Sequence, residues 1–113
     1  MKAGEIYLAS FPFGDTPGMK LRPVLLLTGV IGSVPEVLVA YISSVIPIAA
    51  LPSDIALDPA LPEYRSTNLK RPSVLRLHKL ATIHARSLLR HLGEISPATN
   101  AVVAQKLAAL LNL

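Results

Sequence analysis

Hydrophobic positions in this chain recur at two spacings, and the spacing changes from strand-like to helix-like near residue 96. Glu5 to Ala9 is short and β-prone, and Ser10-Phe-Pro-Phe13 closes it. Pro23 to Thr28 is a continuous apolar run, which predicts a buried strand. Gly29, Gly32, Ser33 and Pro35 then form a turn region, and Glu36 to Ser43 (Glu-Val-Leu-Val-Ala-Tyr-Ile-Ser) reads as a third strand. Its simplest partner across that turn is the second strand, in an antiparallel hairpin. That hairpin puts the start of one strand beside the end of the other, so Arg22 and Ser43 fall within reach of one site.

Ser44 to Pro72 is broken by Pro47, Pro52, Pro59, Pro62 and Pro72 and reads mostly as loop. Within it, Asp54-Ile-Ala-Leu-Asp58 alternates cleanly enough for a short strand. Ser73 to Ile83 alternates in part, with Leu75 and Leu77 against Arg76 and His78, and predicts a further strand with its polar face outward. Arg86 to Ile95 follows neither period. Ser96-Pro97 supplies an N-cap with proline at the first helical position, and Val103, Leu107, Leu110 and Leu111 recur at helical spacing beyond it. Several short strands and one terminal helix predict a mainly β fold, a small, strongly bent barrel plugged by that helix.

Composition narrows the class. The 113 residues, 51% hydrophobic and 16% charged, predict one globular domain spanning 1–113. Mean hydropathy is +0.50, yet the longest apolar runs, Val24 to Leu27 and Val37 to Ile42, are far too short to cross a bilayer. Glu5 stands where the apolar centre of a signal peptide would begin, and cysteine is absent, so the expected location is cytoplasmic.

Net charge is +4, and its distribution matters more than its total. Arg65, Lys70, Arg71, Arg76, Lys79, Arg86 and Arg90 follow one another with no acidic residue between Glu63 and Glu94. Clustered cations of this kind suit a polyanion such as nucleic acid, and an ordinary solvated face is the alternative. His78, His84 and His91 share the interval at spacings that match no helical metal pair, and no metal site is expected. His78 or His84 could serve a ribonuclease as general acid or base.

The chemistry centres on the segment from Gly14 to Thr28. Gly14, Asp15, Pro17 and Gly18 form a turn-rich stretch that delivers Lys20 and Arg22 to the mouth of the apolar strand. Pro23 biases Arg22 toward an extended backbone and is itself tolerated at a strand's first residue. A guanidinium offers a planar fork of donors matched to phosphate oxygens, and a hydroxyl from Ser43-Ser44 adds another donor. Such a pair can cleave RNA without a cofactor. The substrate's own 2′-hydroxyl is the nucleophile, and the protein aligns the attack, stabilises the phosphorane charge and helps move a proton.

The order of short motifs, Gly4-Glu5-Ile6-Tyr7, Phe11-Pro12-Phe13, Lys20-Leu-Arg22-Pro23-Val-Leu-Leu-Leu27, Ile42-Ser43-Ser44, Leu69-Lys70-Arg71-Pro72-Ser73-Val74 and Leu92-Gly93-Glu94-Ile95-Ser96, resembles the PemK/MazF toxins of type II toxin-antitoxin systems. The resemblance spans nearly the whole chain. It implies an SH3-like, partly open barrel of the CcdB/MazF type with a C-terminal helix, assembled as a homodimer. It further implies a metal-independent endoribonuclease that cuts single-stranded RNA at short motifs, inhibits translation and growth, and is neutralised by a cognate antitoxin. By that match Arg22 is the catalytic arginine, and Ser43 stands where the family usually has a catalytic threonine. Lys20, Ser44, Lys70, Arg71 and Ser73 are expected to contact RNA. Asp15-Thr-Pro-Gly-Met19 replaces the Ser-Glu-Gln-type segment of many relatives, so their cleavage motif does not carry over, and serine at position 43 keeps the hydroxyl without the methyl that restricts its rotamers. The alternatives are a CcdB-like gyrase inhibitor, although the Trp-Gly-Ile ending of those proteins is missing, and a catalytically inactive RNA-binding barrel.

Overall fold

Residue alternation sorts the strand side chains into two apolar clusters. The computed structural model describes residues 1–11 and 20–113, with Phe11 described by its backbone alone. The expected turn-rich segment from Gly14 to Met19, Asp15 within it and Phe11-Pro12-Phe13 therefore lie wholly or partly outside the described residues. The strands are β1 (Glu5–Phe11), β2 (Lys20–Leu26), β3 (Glu36–Ser43), β4 (Asp54–Leu57), β5 (Ser73–His84) and β6 (Leu88–Glu94), followed by helix α1 (Pro97–Leu110). They form one open antiparallel sheet in the order β4-β5-β3-β2-β1-β6. In β2, Leu25 joins a cluster with Ile6, Ile42, Leu75 and Leu77, while Val24 and Leu26 join Ala9, Val37 and Val39 in the other. This is why the second half of β2 reads as an unbroken apolar run: from Val24 to Leu26 neither face is solvated.

The expected hairpin is present. β2 and β3 pair as Val24↔Tyr41, Leu25↔Ala40 and Leu26↔Val39. β2 starts earlier than the apolar run suggests, at Lys20, so Pro23 lies inside the strand rather than at its first residue. It is accommodated because the ladder to β3 ends at Val24, and no β3 partner asks for its missing N–H. In β5 the register to β3 jumps between Ala40↔Leu80 and Tyr41↔Arg76, so Leu77, His78 and Lys79 bulge and the long strand bends.

Three local features were not legible. Pro62–Thr67 is a 3₁₀ helix with Pro62 in its first turn, inside the stretch expected to be mostly loop. A short 3₁₀ turn at Ala85–Ser87 links β5 to β6. β6 pairs with β1 through two register irregularities, which blur the alternation that would have marked it as a strand. In β5 the polar face is not wholly outward: Arg76 Nε stands 2.8 Å from Asp54 Oδ1, and the Asp54 side chain is only 2% exposed. That contact is off the line of a hydrogen bond, so the pair is held chiefly by charge.

Helix α1 begins as its sequence predicts, with the Thr99 amide donating to Ser96 Oγ at 3.1 Å. Val103 and Leu107 pack on the first cluster, whereas Leu110 and Leu111 are 41% and 53% exposed, so the apolar stripe only partly plugs the sheet. Among the described residues no helix is long and apolar enough to cross a membrane.

Both sheet edges carry side-chain covers, which limits strand addition. On β4, Lys106 Nζ donates to the carbonyls of Pro52 at 2.8 Å and Asp54 at 3.1 Å. On β6, Ser66 Oγ donates to Glu94 O at 2.9 Å and Asn68 Nδ2 to Leu92 O at 2.7 Å. Gly93 lies between those two carbonyls. A Cβ there would collide with the Ser66 carbonyl oxygen and stand 2.6 Å from that of Thr67. Gly93→Ala should therefore push the 3₁₀ segment off β6 and destabilise the fold by about 1–3 kcal/mol. A thermal melt of the variant checks this, and an unchanged midpoint would show that the seam can yield.

Candidate nucleic-acid interface

Cross-strand register builds the floor of a groove of about 280 Å³. Leu8 on β1 is paired with Pro23 on β2 and with Arg90 on β6, and all three residues line the groove. Ile42, Leu69 and Leu92 extend the apolar floor. Around it stand four cations, Arg22, Lys70, Arg71 and Arg90, and among the described lining residues there is no carboxylate. Lys70 and Arg71 arrive on the segment after the 3₁₀ helix, where Asn68 adopts φ 55° and turns the chain. Asparagine tolerates this left-handed conformation better than most residues. Ser73 Oγ donates to Arg71 O at 3.0 Å and fixes the other end of that segment.

Of the residues expected from sequence, Arg22, Ser44, Lys70, Arg71 and Ser73 meet at this groove. Arg22 is half-buried, and Ser73 is buried. Lys20 opens β2, half-buried, and is not among the lining residues. Ser43 is also outside the lining set, and it is 8% exposed. Its Oγ accepts from the Val45 amide at 3.1 Å and has only a long 3.4 Å contact toward Val45 O. Arg22 lies two residues before Val24, and Ser43 two residues after its partner Tyr41, so both stand at the same end of the hairpin.

Leu8, Asn68, Arg90 and Leu92 were not picked out as site residues. Arg90 was visible as one charge in a basic run, but only the pairing of β6 with β1 shows which of those charges reaches the groove. Neither His78 nor His84 lines it. His78 is exposed, and His84 Nδ1 accepts from the Arg86 amide at 3.0 Å. On β1 the carboxylate of Glu5 is engaged away from the groove lining, with Oε2 3.1 Å from His91 Nε2 and Oε1 accepting from the Lys2 amide at 2.7 Å. Burial pushes the Glu5 carboxyl up, but the Lys2 hydrogen bond, the N-terminal ammonium and His91 outweigh it and hold the pKa below the usual glutamate value.

An open antiparallel sheet with a C-terminal helix, carrying a cationic groove over an apolar floor, defines a small mainly β protein with a surface suited to a polyanion. The chain belongs to the family of PemK-like, MazF-like toxins of type II toxin-antitoxin systems, whose family model matches residues 2–111. Among solved structures it resembles the Mycobacterium tuberculosis toxin MazF-mt6, with a TM-score of 0.72 and 24% identity over 96% of this chain and 97% of that one. It also resembles an endoribonuclease in complex with its cognate antitoxin from a mycobacterial species, with a TM-score of 0.70 and 19% identity over 100% of this chain and 96% of that one. The MazE-MazF structure from Deinococcus radiodurans gives a TM-score of 0.70 and 20% identity over 100% and 97% of the two chains. At these identities the likeness is one of fold. Among curated proteins nothing matches.

Proposed function

We propose that this toxin is a sequence-specific endoribonuclease that cleaves single-stranded messenger RNA, works as a homodimer and is held inactive by a cognate antitoxin. The observation that carries the reading is the groove itself, in which Arg22 and three further cations surround an apolar floor with no carboxylate among the described lining residues. Cations suit the phosphates and the floor suits the bases of a single strand. The solved relatives described as an endoribonuclease with its antitoxin and as MazE-MazF support the same activity and partner.

In this mechanism the 2′-hydroxyl gives up its proton to solvent as its oxygen bonds to the adjacent phosphorus, the P–O5′ bond breaks, and the leaving O5′ takes up a proton from solvent, so that a 2′,3′-cyclic phosphate and a free 5′-hydroxyl result. The Arg22 guanidinium stabilises charge on the non-bridging oxygens as the phosphorane forms, and its fork holds the phosphate in line. Ser43 contributes an oriented hydroxyl: the Val45 amide fixes its oxygen, and its proton is only weakly engaged. Lys70 and Arg71 anchor flanking phosphates, with Ser44 and Ser73 on the same wall.

The test is cleavage of single-stranded RNA in the presence of a chelator. Turnover should persist, the products should carry a 2′,3′-cyclic phosphate, and one deoxyribose just 5′ of the cut should block the reaction. Cleavage of the deoxy-substituted strand, or loss of activity with chelator, would overturn the mechanism.

A further inference from the structure

The basic run from Arg65 to Arg90 is divided by the fold. Arg76 is committed to Asp54, and Arg65, Lys79 and Arg86 are outside the groove lining. Lys70 and Arg71 reach the groove from one wall, and Arg90 reaches it from β6 on another. Arg90 is exposed, and among the described residues no carboxylate pairs with it. An exposed guanidinium without a partner is usually only a solvated charge, but three features set this one apart.

The first is its place in the register. Arg90 is paired with Leu8 and Leu8 with Pro23, the immediate neighbour of Arg22. Paired Cα atoms in antiparallel ladders lie about 5 Å apart, so the backbones of Arg90 and of Arg22 are separated by ~10 Å. That span lets the two guanidiniums engage successive phosphates of one strand and leaves apolar surface from Leu8 and Pro23 between them. The second is rigidity. Two positions along β6, the Leu92 carbonyl is held by Asn68 Nδ2 at 2.7 Å, and Gly93 lets the 3₁₀ segment close directly onto the strand. An anchor on a braced strand has no backbone freedom left to lose when it binds, so the cost falls on its side chain alone. The third is the lack of competition, since no described carboxylate lines the groove.

We infer that Arg90 is a second phosphate anchor, holding the RNA backbone across the groove from Arg22 while an intervening nucleobase lies on Leu8 and Pro23. The inference takes its substrate class from the RNA-cleavage reading above. Its energetic role differs from that of Arg22: it binds substrate and transition state alike, and so acts on affinity rather than on the chemical step.

The experiment compares wild type, Arg90→Ala, Arg90→Lys and Arg86→Ala, the last removing a neighbouring exposed charge that does not line the groove. Binding of a fluorescently labelled single-stranded oligoribonucleotide is measured over a range of salt, followed by cleavage kinetics. Arg90→Ala should weaken binding and raise KM by roughly tenfold, hold kcat within about threefold, and reduce the salt slope by roughly 0.7. Arg90→Lys should keep the wild-type slope but recover only part of the affinity, because it keeps the charge and loses the fork. Arg86→Ala should bind within about twofold of wild type if only groove cations count. Equal losses in Arg90→Ala and Arg86→Ala would mean that net charge alone matters, and a fall in kcat at constant KM would place Arg90 in the chemistry. Either result overturns the inference. Wild-type binding without cleavage would sink the endoribonuclease reading and leave the anchor to be judged on affinity alone.

Discussion

Replacing Arg22 with alanine should abolish RNA cleavage, lowering turnover by a factor on the order of 10³ or more, as loss of a transition-state arginine does in other phosphoryl chemistry. Arg22 is one of four cations at the groove, so its removal leaves Lys70, Arg71 and Arg90 to hold substrate, and the loss should appear in kcat far more than in binding. Arg22→Lys should restore little, since an ammonium keeps the charge but cannot present two parallel donors to a phosphate. Folding should survive. Arg22 sits near the start of β2, beyond the last β2–β3 pair, and among the described residues it forms no ion pair. Single-turnover kinetics beside a thermal melt provide the check, and wild-type turnover with Arg22→Ala would remove this residue from the mechanism.

Ser43, the last residue of β3, and Ser44, just beyond it, should separate by kinetic signature. Ser43→Ala should lower kcat on the order of 10² to 10³, the effect of deleting one donor to a developing oxyanion. Its oxygen is fixed by the Val45 amide at 3.1 Å, while the contact toward Val45 O is 3.4 Å, well beyond the usual O–H···O distance. The hydroxyl oxygen is thus fixed while its proton is only weakly held. Ser44 lines the groove and is exposed, so Ser44→Ala should raise KM by less than about tenfold and leave kcat near wild type, as a ground-state contact does. The reverse pattern, a collapse of kcat with Ser44→Ala and a mild effect at Ser43, would move the donor to the groove wall.

Recognition of the hairpin did not require tertiary information. Pro23 to Thr28 and Glu36 to Ser43 are apolar runs bounded by turn residues, and the observed β3 has the bounds its pattern predicts. The helix start at Ser96-Pro97 was equally local, because an N-cap hydroxyl and an N1 proline act within one turn. β6 was hidden for the opposite reason. Its exposed and buried positions follow irregular pairing with β1, and that pairing joins two segments distant in sequence, as Glu5↔Glu94 shows. The 3₁₀ helix at Pro62–Thr67 was masked by Pro62 and the charges after it, which resemble those of a loop until Ser66 and Asn68 are seen bonding to β6.

What the sequence by itself determined is therefore the chemistry available and the hairpin that brings Arg22 and Ser43 to one end, because two apolar runs joined by a short turn pair antiparallel. Which cations share the site was decided only by the tertiary structure. Lys70, Arg71, Arg76, Arg86 and Arg90 are alike as letters, yet Arg76 is paired with Asp54, Arg86 lies off the groove, and Lys70, Arg71 and Arg90 converge on it. The reason is geometric. A charge carries no local signal of where its strand will lie, and the place of β6 beside β1 and of the 3₁₀ segment beside β6 is set by long-range pairing and by the absence of a side chain at Gly93.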